Sequence, residues 1–181
     1  MTMYISLLRG VNVAGHAMLK MSDLVQTCES LGFRAARTYL QSGNVIFDYD
    51  GRDGSSIAER IEKGLKDRLG LQVSVFIRTL NDLSRIVASQ PFKNRDRSRL
   101  HVTFLYTKAR ENAVEAIRAA ARGGEDFSMS NLEVYLFLPN GMGKTKLSNN
   151  FIEKTLGVAA TTRNWNTVTA LLELAGKSRS D

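Results

Sequence analysis

The amino-acid sequence predicts an α+β protein with mainly antiparallel sheets, and three observations support that prediction. First, an apolar strand at residues 4–8 opens the chain and is followed by a glycine-punctuated loop at 9–15. Second, apolar residues recur along the whole chain with alternating strand and helix periods. Third, the elements of residues 1–78 follow the order strand, helix, strand, strand, helix, strand. That order is the split βαβ, or ferredoxin-like, arrangement, and we expect two such subdomains.

The first elements follow from local signals. Residues 4–8 are apolar on both faces, so this strand is expected in the middle of a sheet that is covered on both sides. Apolar residues at helical spacing over 21–31 predict a helix with Ser22 as its start signal and Gly32 as its stop. A hairpin is predicted next, and it turns at 41–44, where Gly and Asn tolerate positive φ.

A helix, a strand and a short helix are predicted to follow. A capping box at 56–59 and apolar residues at helical spacing predict a helix that ends at Gly70. Alternation over 73–78 predicts a strand, and Thr79 with Asp82 opens the short helix.

The second half of the chain is predicted to repeat this order. Pro91 and the charged run at 93–97 break the periodicity and mark a boundary. The predicted organisation is an N-terminal subdomain at 1–90, a linker at 91–99 and a C-terminal subdomain at 100–181. Its predicted elements are a strand at 100–106, a helix at 114–121, paired strands at 127–129 and 132–138, and helices at 148–157 and 164–176. The second half therefore ends in a helix where the first half has its last strand.

The composition is that of an ordinary globular protein. The chain has 181 residues, of which 43% are hydrophobic and 24% charged. No run approaches the roughly 20 apolar residues that span a bilayer, and the N-terminus lacks a signal-peptide pattern. We therefore expect a cytoplasmic protein with no membrane partner.

Groups for metal or nucleophilic chemistry are few. Cys28, the single cysteine, lies on the apolar face of the first helix and is predicted to be a core side chain. His101 lies in a predicted strand and is expected to be structural, whereas His16 is expected to be solvated in the first loop. Carboxylates such as Glu111 lie on predicted helix faces, where solvation is the default. The sequence predicts no metal site, and it identifies neither a cofactor nor a catalytic acid and base pair.

The chain is basic, with a formal charge of +7 and a pI near 9.8. Residues 1–90 carry 11 basic and 9 acidic side chains, and residues 91–181 carry 14 and 9. The basic second half is compatible with an RNA, DNA or phosphorylated partner, and a solvated basic surface is the alternative.

Two loops have features of anion sites. Between the first strand and first helix, Arg9, Gly10, Asn12 and Lys20 combine two cations with a glycine loop that offers backbone N–H groups. The loop at 138–145 lacks the first glycine of a Walker motif, so a nucleotide-hydrolysing site is not expected there. Its glycines and the cations Lys144 and Lys146 remain candidates for contact with an anion. The alternative for both loops is a plain turn.

The densest polar cluster is TTRNWNT at 161–167. We interpret it as the beginning of a helix, where hydroxyl and amide side chains cap the backbone. Capping does not require Arg163 or the amides on either side of Trp165, so Arg163 and Asn164 are candidate ligand contacts. Trp165 is expected in the core, with a stacking surface as the alternative.

Several motifs resemble one known family. They are LRGVNVAG at 8–15 with the Lys-Met pair at 20–21, RTYLQSGNV at 37–45, the Pro-Phe pair at 91–92 and TTRNWNT at 161–167. The chain resembles the bacterial domain of unknown function 1697 family over nearly its whole length. The family's first loop usually has a second Gly where this chain has Ala14. The resemblance implies an α+β fold of two ferredoxin-like subdomains and brings no established activity.

We therefore predict a binding protein for a phosphate-bearing ligand, with nucleic acid the favoured class. The predicted ligand-binding residues are Arg9, Gly10, Asn12, Lys20, Gln41, Asn44, Lys144, Lys146, Arg163 and Asn164. We also expect Arg9 and Arg163 to lie in the same cleft. The alternatives are an enzyme that acts on a phosphorylated metabolite in a cleft between the subdomains, and a subunit that self-associates through an apolar surface. The oligomeric state is left open.

Overall fold

A computed structural model of the chain describes residues 1–13, 15, 17–109 and 113–177. His16 and Glu111 lie outside these residues. The strands are β1 Thr2–Leu8, β2 Arg34–Tyr39, β3 Asn44–Tyr49, β4 Val75–Thr79, β5 Leu100–Leu105, β6 Asp126–Met129, β7 Glu133–Phe137 and β8 Ala160–Asn164. The α-helices are α1 Met21–Ser30, α2 Gly54–Leu69, α3 Leu80–Ala88, α4 Val114–Ala120, α5 Asn149–Leu156 and α6 Trp165–Lys177.

The strands form two four-stranded sheets with the same topology. Their orders are β2-β3-β1-β4 and β6-β7-β5-β8, and every neighbouring pair is antiparallel. In each sheet the first strand in sequence lies between the third and the fourth, as the split βαβ arrangement requires. The predicted α+β fold of two ferredoxin-like subdomains is confirmed.

The second half ends differently from its prediction. A last strand, β8, runs over Ala160–Asn164 and pairs with β5, so the expectation that a helix replaces this strand was wrong. Thr161 and Thr162 are β-branched residues that suit a strand, and the Thr162 hydroxyl lies 2.8 Å from that of Thr103 across the pair. Only Asn164 caps the helix that follows, because its Oδ1 accepts the Thr167 N–H.

Two of the predicted helix starts were also wrong. Helix α1 begins at Met21 after Lys20, whose side chain makes no capping bond, so Ser22 already lies within the first turn. Helix α2 begins at Gly54, two residues before the predicted capping box, because the Asp53 carboxylate accepts the N–H of Ser55. The predicted cap of α3 is confirmed, since Thr79 and Asp82 hydrogen-bond to each other.

The chain divides into two compact units. The first contains residues 1–84 and 171–181, and the second contains residues 85–170. The domain bounds predicted above, at 1–90, 91–99 and 100–181, stay a prediction.

The core of the first unit lies between its sheet and helices α1 and α2. Strand β1 is central, as predicted, and its residues from Met3 to Leu8 are buried on both faces. Phe47 stacks on Phe33 with ring centroids 4.6 Å apart, and Arg60 lies over the Phe33 ring. These contacts hold the helices against the sheet and leave the ends of the strands to carry loops.

The second unit has its own core beneath α4 and α5. Ile117, Ile152 and Leu156 pack with the buried residues of β7, and Trp165 is buried, as predicted. His101 lies in β5, where burial lowers the pKa of its ring and keeps the ring neutral at pH 7.

Candidate functional site

One end of the first sheet gathers the two loops of the unit that carry predicted site residues. The N–H of Leu8, at the end of β1, donates to the Gly43 carbonyl at 2.8 Å. The N–H of Arg9 donates to the Ser74 carbonyl at 2.9 Å. The loop at 9–20 therefore leaves the sheet beside the turn between β2 and β3.

Asn12 fastens these two loops together. Its Nδ2 donates to the Leu19 carbonyl at 2.8 Å and to the Gln41 carbonyl at 2.7 Å, and its Oδ1 accepts the Leu19 N–H at 2.8 Å. Its φ of +55° is in the left-handed region, which Asn tolerates better than most residues. Both amide protons are used within the protein, so Asn12 positions the loop.

A cavity of about 490 Å³ opens between the loop after β1, the turn between β2 and β3, and the end of α2. Its lining combines polar and apolar side chains, and it consists of Asn12, Met18, Leu19, Lys20, Asp23, Gln41, Leu69 and Leu71. Lys20 and Gln41 are exposed, and Lys20 immediately precedes the first turn of α1. The volume falls within the range of small-molecule sites, about 300–1,000 Å³.

Large apolar side chains are exposed in the two loops, where Met18 lines the cavity and Val13 and Leu40 adjoin the lining residues Asn12 and Gln41 in the chain. The exposed fraction is 71% for Met18, 59% for Val13 and 53% for Leu40. The backbones of Asn12, Ala17 and Leu40 have positive φ, and they account for three of the four non-glycine residues with that conformation in the described ranges. Strained backbone of this kind clusters at ligand sites.

The other candidates of the first unit have distinct surroundings. Gly10 is exposed with φ of +68°, so it provides the turn after β1. Arg9 is half-buried. Asn44 is fully buried, and its Nδ2 donates to the Tyr39 carbonyl and to the Ser42 hydroxyl. Asn44 therefore holds the turn, and its contact with a ligand stays a prediction.

Four candidates belong to the second unit. Lys144 and Lys146 are exposed in the loop after β7, and Asn164 ends β8. Phe137 pairs with Leu100, and Asn164 pairs with His101. Strands β7 and β8 therefore finish at the same end of the second sheet, beside the beginning of β5. That Arg9 and Arg163 share a cleft stays a prediction.

Arg163 is a buried cation within β8. Its guanidinium donates to the Thr161 hydroxyl at 2.8 Å and to the Thr162 carbonyl at 3.0 Å. Burial lowers its pKa to about 10, so the side chain stays charged at neutral pH. Its role toward a ligand stays a prediction.

Sequence reasoning missed part of the cavity wall. Met18, Asp23, Leu69 and Leu71 were not candidates, although all four line the cavity. Leu69 and Leu71 flank Gly70, where the left-handed end of α2 reverses the chain. The short apolar run of Ala17, Met18 and Leu19 just before Lys20 was a local signal for part of this wall.

Together these features define an α+β protein with two ferredoxin-like units, and the first unit carries the mixed polar and apolar cavity described above. The chain belongs to the family described as "Protein of unknown function (DUF1697)", whose model matches residues 1–135. A matching solved structure is the conserved bacterial protein SP0830 from Streptococcus pneumoniae, with 21% identity and a TM-score of 0.76. That match covers 96% of this chain and 98% of the other, and it shows a shared fold. No curated protein matches the chain.

Two features are absent from the described residues. None of the helices in the ranges given above is long and apolar enough to cross a membrane. Among the same residues, no group of three or more His, Cys, Asp and Glu side chains is placed to hold a metal ion.

Proposed function

We propose that this protein binds a phosphate-bearing ligand at the cavity beside α1, and that nucleic acid is the favoured class. The observation that supports the proposal is the meeting of an exposed cation, a helix N-terminus and apolar side chains around one cavity of about 490 Å³. The cytoplasmic location predicted from the sequence is part of the same proposal.

The phosphate group would lie at the beginning of α1. The first N–H groups of an α-helix have no intrahelical acceptors, and the helix dipole favours negative charge there. No side chain of the N-cap residue covers these N–H groups, because Lys20 makes no capping bond. Lys20 immediately precedes these residues, so its ammonium would add positive charge at the same end of the helix.

The apolar part of the ligand would lie against Met18, Leu69 and Leu71. A single-stranded nucleic acid offers unstacked bases that bind such surfaces while its phosphates contact cations. The formal charge of +7 on the chain favours the approach of a polyanion.

Lys20→Gln tests the site. For a labelled single-stranded RNA of mixed sequence, we expect a tenfold loss of affinity at low salt, about 1.4 kcal/mol. The slope of log K against log salt should also become shallower by about 0.7, the value of one phosphate contact on a single strand. Fluorescence anisotropy between about 50 and 200 mM salt measures both quantities.

The matched control is Arg52→Gln. Arg52 is exposed in the loop between β3 and α2, at the opposite end of the first sheet, so this variant removes the same charge elsewhere in the unit. Equal losses in the two variants would show that only net charge matters. Absence of RNA binding even at low salt would remove nucleic acid as the partner.

Asp23→Asn should act in the opposite direction. The Asp23 carboxylate lies in the first turn of α1 and in the cavity wall, where it repels a phosphate. A unit charge 4 Å away costs about 1 kcal/mol in water, so affinity for RNA should rise about fivefold. The melting temperature should fall slightly, because the helix loses a favourable charge at its N-terminus. Unchanged or weaker binding would place the phosphate elsewhere.

The alternative ligand is a phosphorylated small molecule, which a cavity volume of about 490 Å³ favours. Competition distinguishes the two classes. Ribose 5-phosphate and AMP should bind to a small-molecule site with little dependence on salt, whereas RNA binding should weaken steeply as salt rises. Turnover of either compound would support the enzyme alternative.

A further inference from the structure

A second, smaller cavity lies in the unit of residues 85–170 and has no part in the proposed function. Its volume is about 120 Å³, and its lining consists of Val87, Gln90, Lys93, Arg97, Trp165 and Thr169. It forms where the chain after α3 passes the first turn of α6. Two motifs noted in the sequence, Pro-Phe at 91–92 and TTRNWNT at 161–167, flank or contribute to this cavity.

Gln90 is the unusual residue of the lining. Its side chain is 5% exposed, and its Oε1 atom has no hydrogen-bond donor among the described residues. Buried carbonyl oxygens are nearly always paired, since an unpaired one loses its bonds to water without replacement. A ligand in the cavity that carries an N–H or O–H group would supply the missing donor.

Two positively charged side chains line the same cavity as Gln90. Lys93 and Arg97 are exposed, and none of the six lining residues is acidic. The Lys93 ammonium donates to the Ala88 carbonyl at 3.0 Å, which uses one of its three protons. The nearby Asp96 carboxylate accepts from the N–H and hydroxyl of Ser98. The cavity therefore combines positive charge with one buried acceptor.

The remaining walls limit the size of the ligand. Trp165 is buried and Val87 is half-buried, and the Thr169 hydroxyl is engaged with the Trp165 carbonyl at 3.1 Å. A volume of about 120 Å³ suits a small ligand, and the cations with the buried acceptor suit an anion that also carries a hydrogen-bond donor.

We propose that this cavity binds a small carboxylate with a hydrogen-bond donor on the adjacent carbon, that is, a small α-hydroxy or α-amino acid. The carboxylate pairs with Arg97, whose planar guanidinium suits two parallel bonds, and with Lys93. The hydroxyl or ammonium group donates to Gln90 Oε1. The carbon skeleton packs against Trp165 and Val87.

The chain provides its own reporter, because Trp165 is its only tryptophan. Titration with glycolate and with glycine distinguishes the hydroxy from the amino acid, and at least one of them should change the tryptophan fluorescence saturably. Acetate, which lacks the donor, should bind about tenfold more weakly, the effect of one hydrogen bond to a buried acceptor. No saturable response to either acid, or a response to inorganic phosphate alone, would overturn the proposal.

Three variants test the assigned contacts. Gln90→Met should reduce the affinity for the preferred acid to the level of acetate and leave acetate binding unchanged. Arg97→Gln should weaken binding of both carboxylates about tenfold. Lys154→Gln, which removes an exposed charge from α5, should change nothing. A persistent preference over acetate in Gln90→Met would overturn the role of Gln90. If that variant does not fold, equal binding by Arg97→Gln and the unmodified protein overturns the site.

Discussion

Gly43→Ala is expected to lower the free energy of unfolding by about 2–5 kcal/mol, because the added methyl group is both strained and overlapped by buried side chains. The φ of Gly43 is +73°, where an L-residue is strained by about 1–2 kcal/mol. A Cβ atom at this position would also lie 2.5 Å from Val11 Cγ2 and 2.8 Å from Leu8 Cβ. Both neighbours are buried, so relieving the overlap costs a further 1–3 kcal/mol, roughly.

The same substitution should also weaken ligand binding at the proposed site. Gly43 lies in the turn between β2 and β3, and its carbonyl accepts the N–H of Leu8 just before the loop at 9–20. Separating the turn from this loop would pull the Gln41 carbonyl away from Asn12 and open the cavity. RNA binding should therefore fall at temperatures where the variant is still folded.

Gly32→Ala is the matched control. Gly32 has φ of +82° at the end of α1, and no heavy atom lies within 4 Å of its added Cβ. The same methyl group should cost only the conformational strain, about 1–2 kcal/mol. Urea denaturation of both variants gives the comparison. Equal destabilisation would show that the close approach of the two loops does not constrain Gly43.

The architecture follows from local patterns wherever one face or both faces of an element are apolar. The four apolar residues among positions 4–8 indicate a central strand, and β1 is central. The glycine after α1 and the Thr79–Asp82 pair act within one turn, so the sequence alone predicts them. Where several residues could cap a helix, local sequence does not decide which of them does. Asp53 competes with Ser56 for the start of α2, and its earlier position determines the boundary.

Strand β8 illustrates why the second half was harder to predict. Its residues are mostly polar, and hydroxyl side chains before a helix are also typical of caps. Pairing with β5, about 60 residues earlier in the chain, determines the outcome instead. The same pairing buries Arg163, a residue type that is rarely buried. A local pattern cannot indicate a partner strand at that distance.

The lining of the candidate cavity also has one part that local sequence patterns predict and one part that they do not. Asn12 and Lys20 were predicted because glycines and cations mark a loop after a strand, and Gln41 was predicted as a polar side chain that contacts the ligand. Leu69 and Leu71 come from the far end of α2, which reaches the loop only through the fold of the unit. The polar part of the site was therefore predictable, and the apolar wall was not.

Cys28 should react with a thiol reagent about 1,000-fold more slowly in the native protein than in the unfolded chain at pH 8. Its side chain is fully buried on α1. Loss of water, with a smaller contribution from the Glu29 charge, raises its pKa from about 9 to about 12. Because the thiolate is the reactive form, a pKa raised from about 9 to about 12 lowers the thiolate fraction at pH 8 about 1,000-fold. Labelling with a chromogenic disulfide, with and without denaturant, measures the ratio. Comparable rates would show that α1 opens readily or that the thiol is accessible.

The same burial makes stability depend on pH in a defined direction. The folded protein holds the Cys28 proton more tightly than the unfolded chain, so its contribution is complete below pH 9 and is lost as the pH rises toward 12. Cys28→Ala has no thiol to titrate and should lose less stability over that interval. The difference between the two proteins is at most about 4 kcal/mol at the upper end, and about 1 kcal/mol at pH 10. Parallel curves of unfolding free energy against pH would show that the thiol is not desolvated.

Because Cys28 packs in the core that positions α1, ligand binding at the proposed site should also slow its labelling in proportion to occupancy.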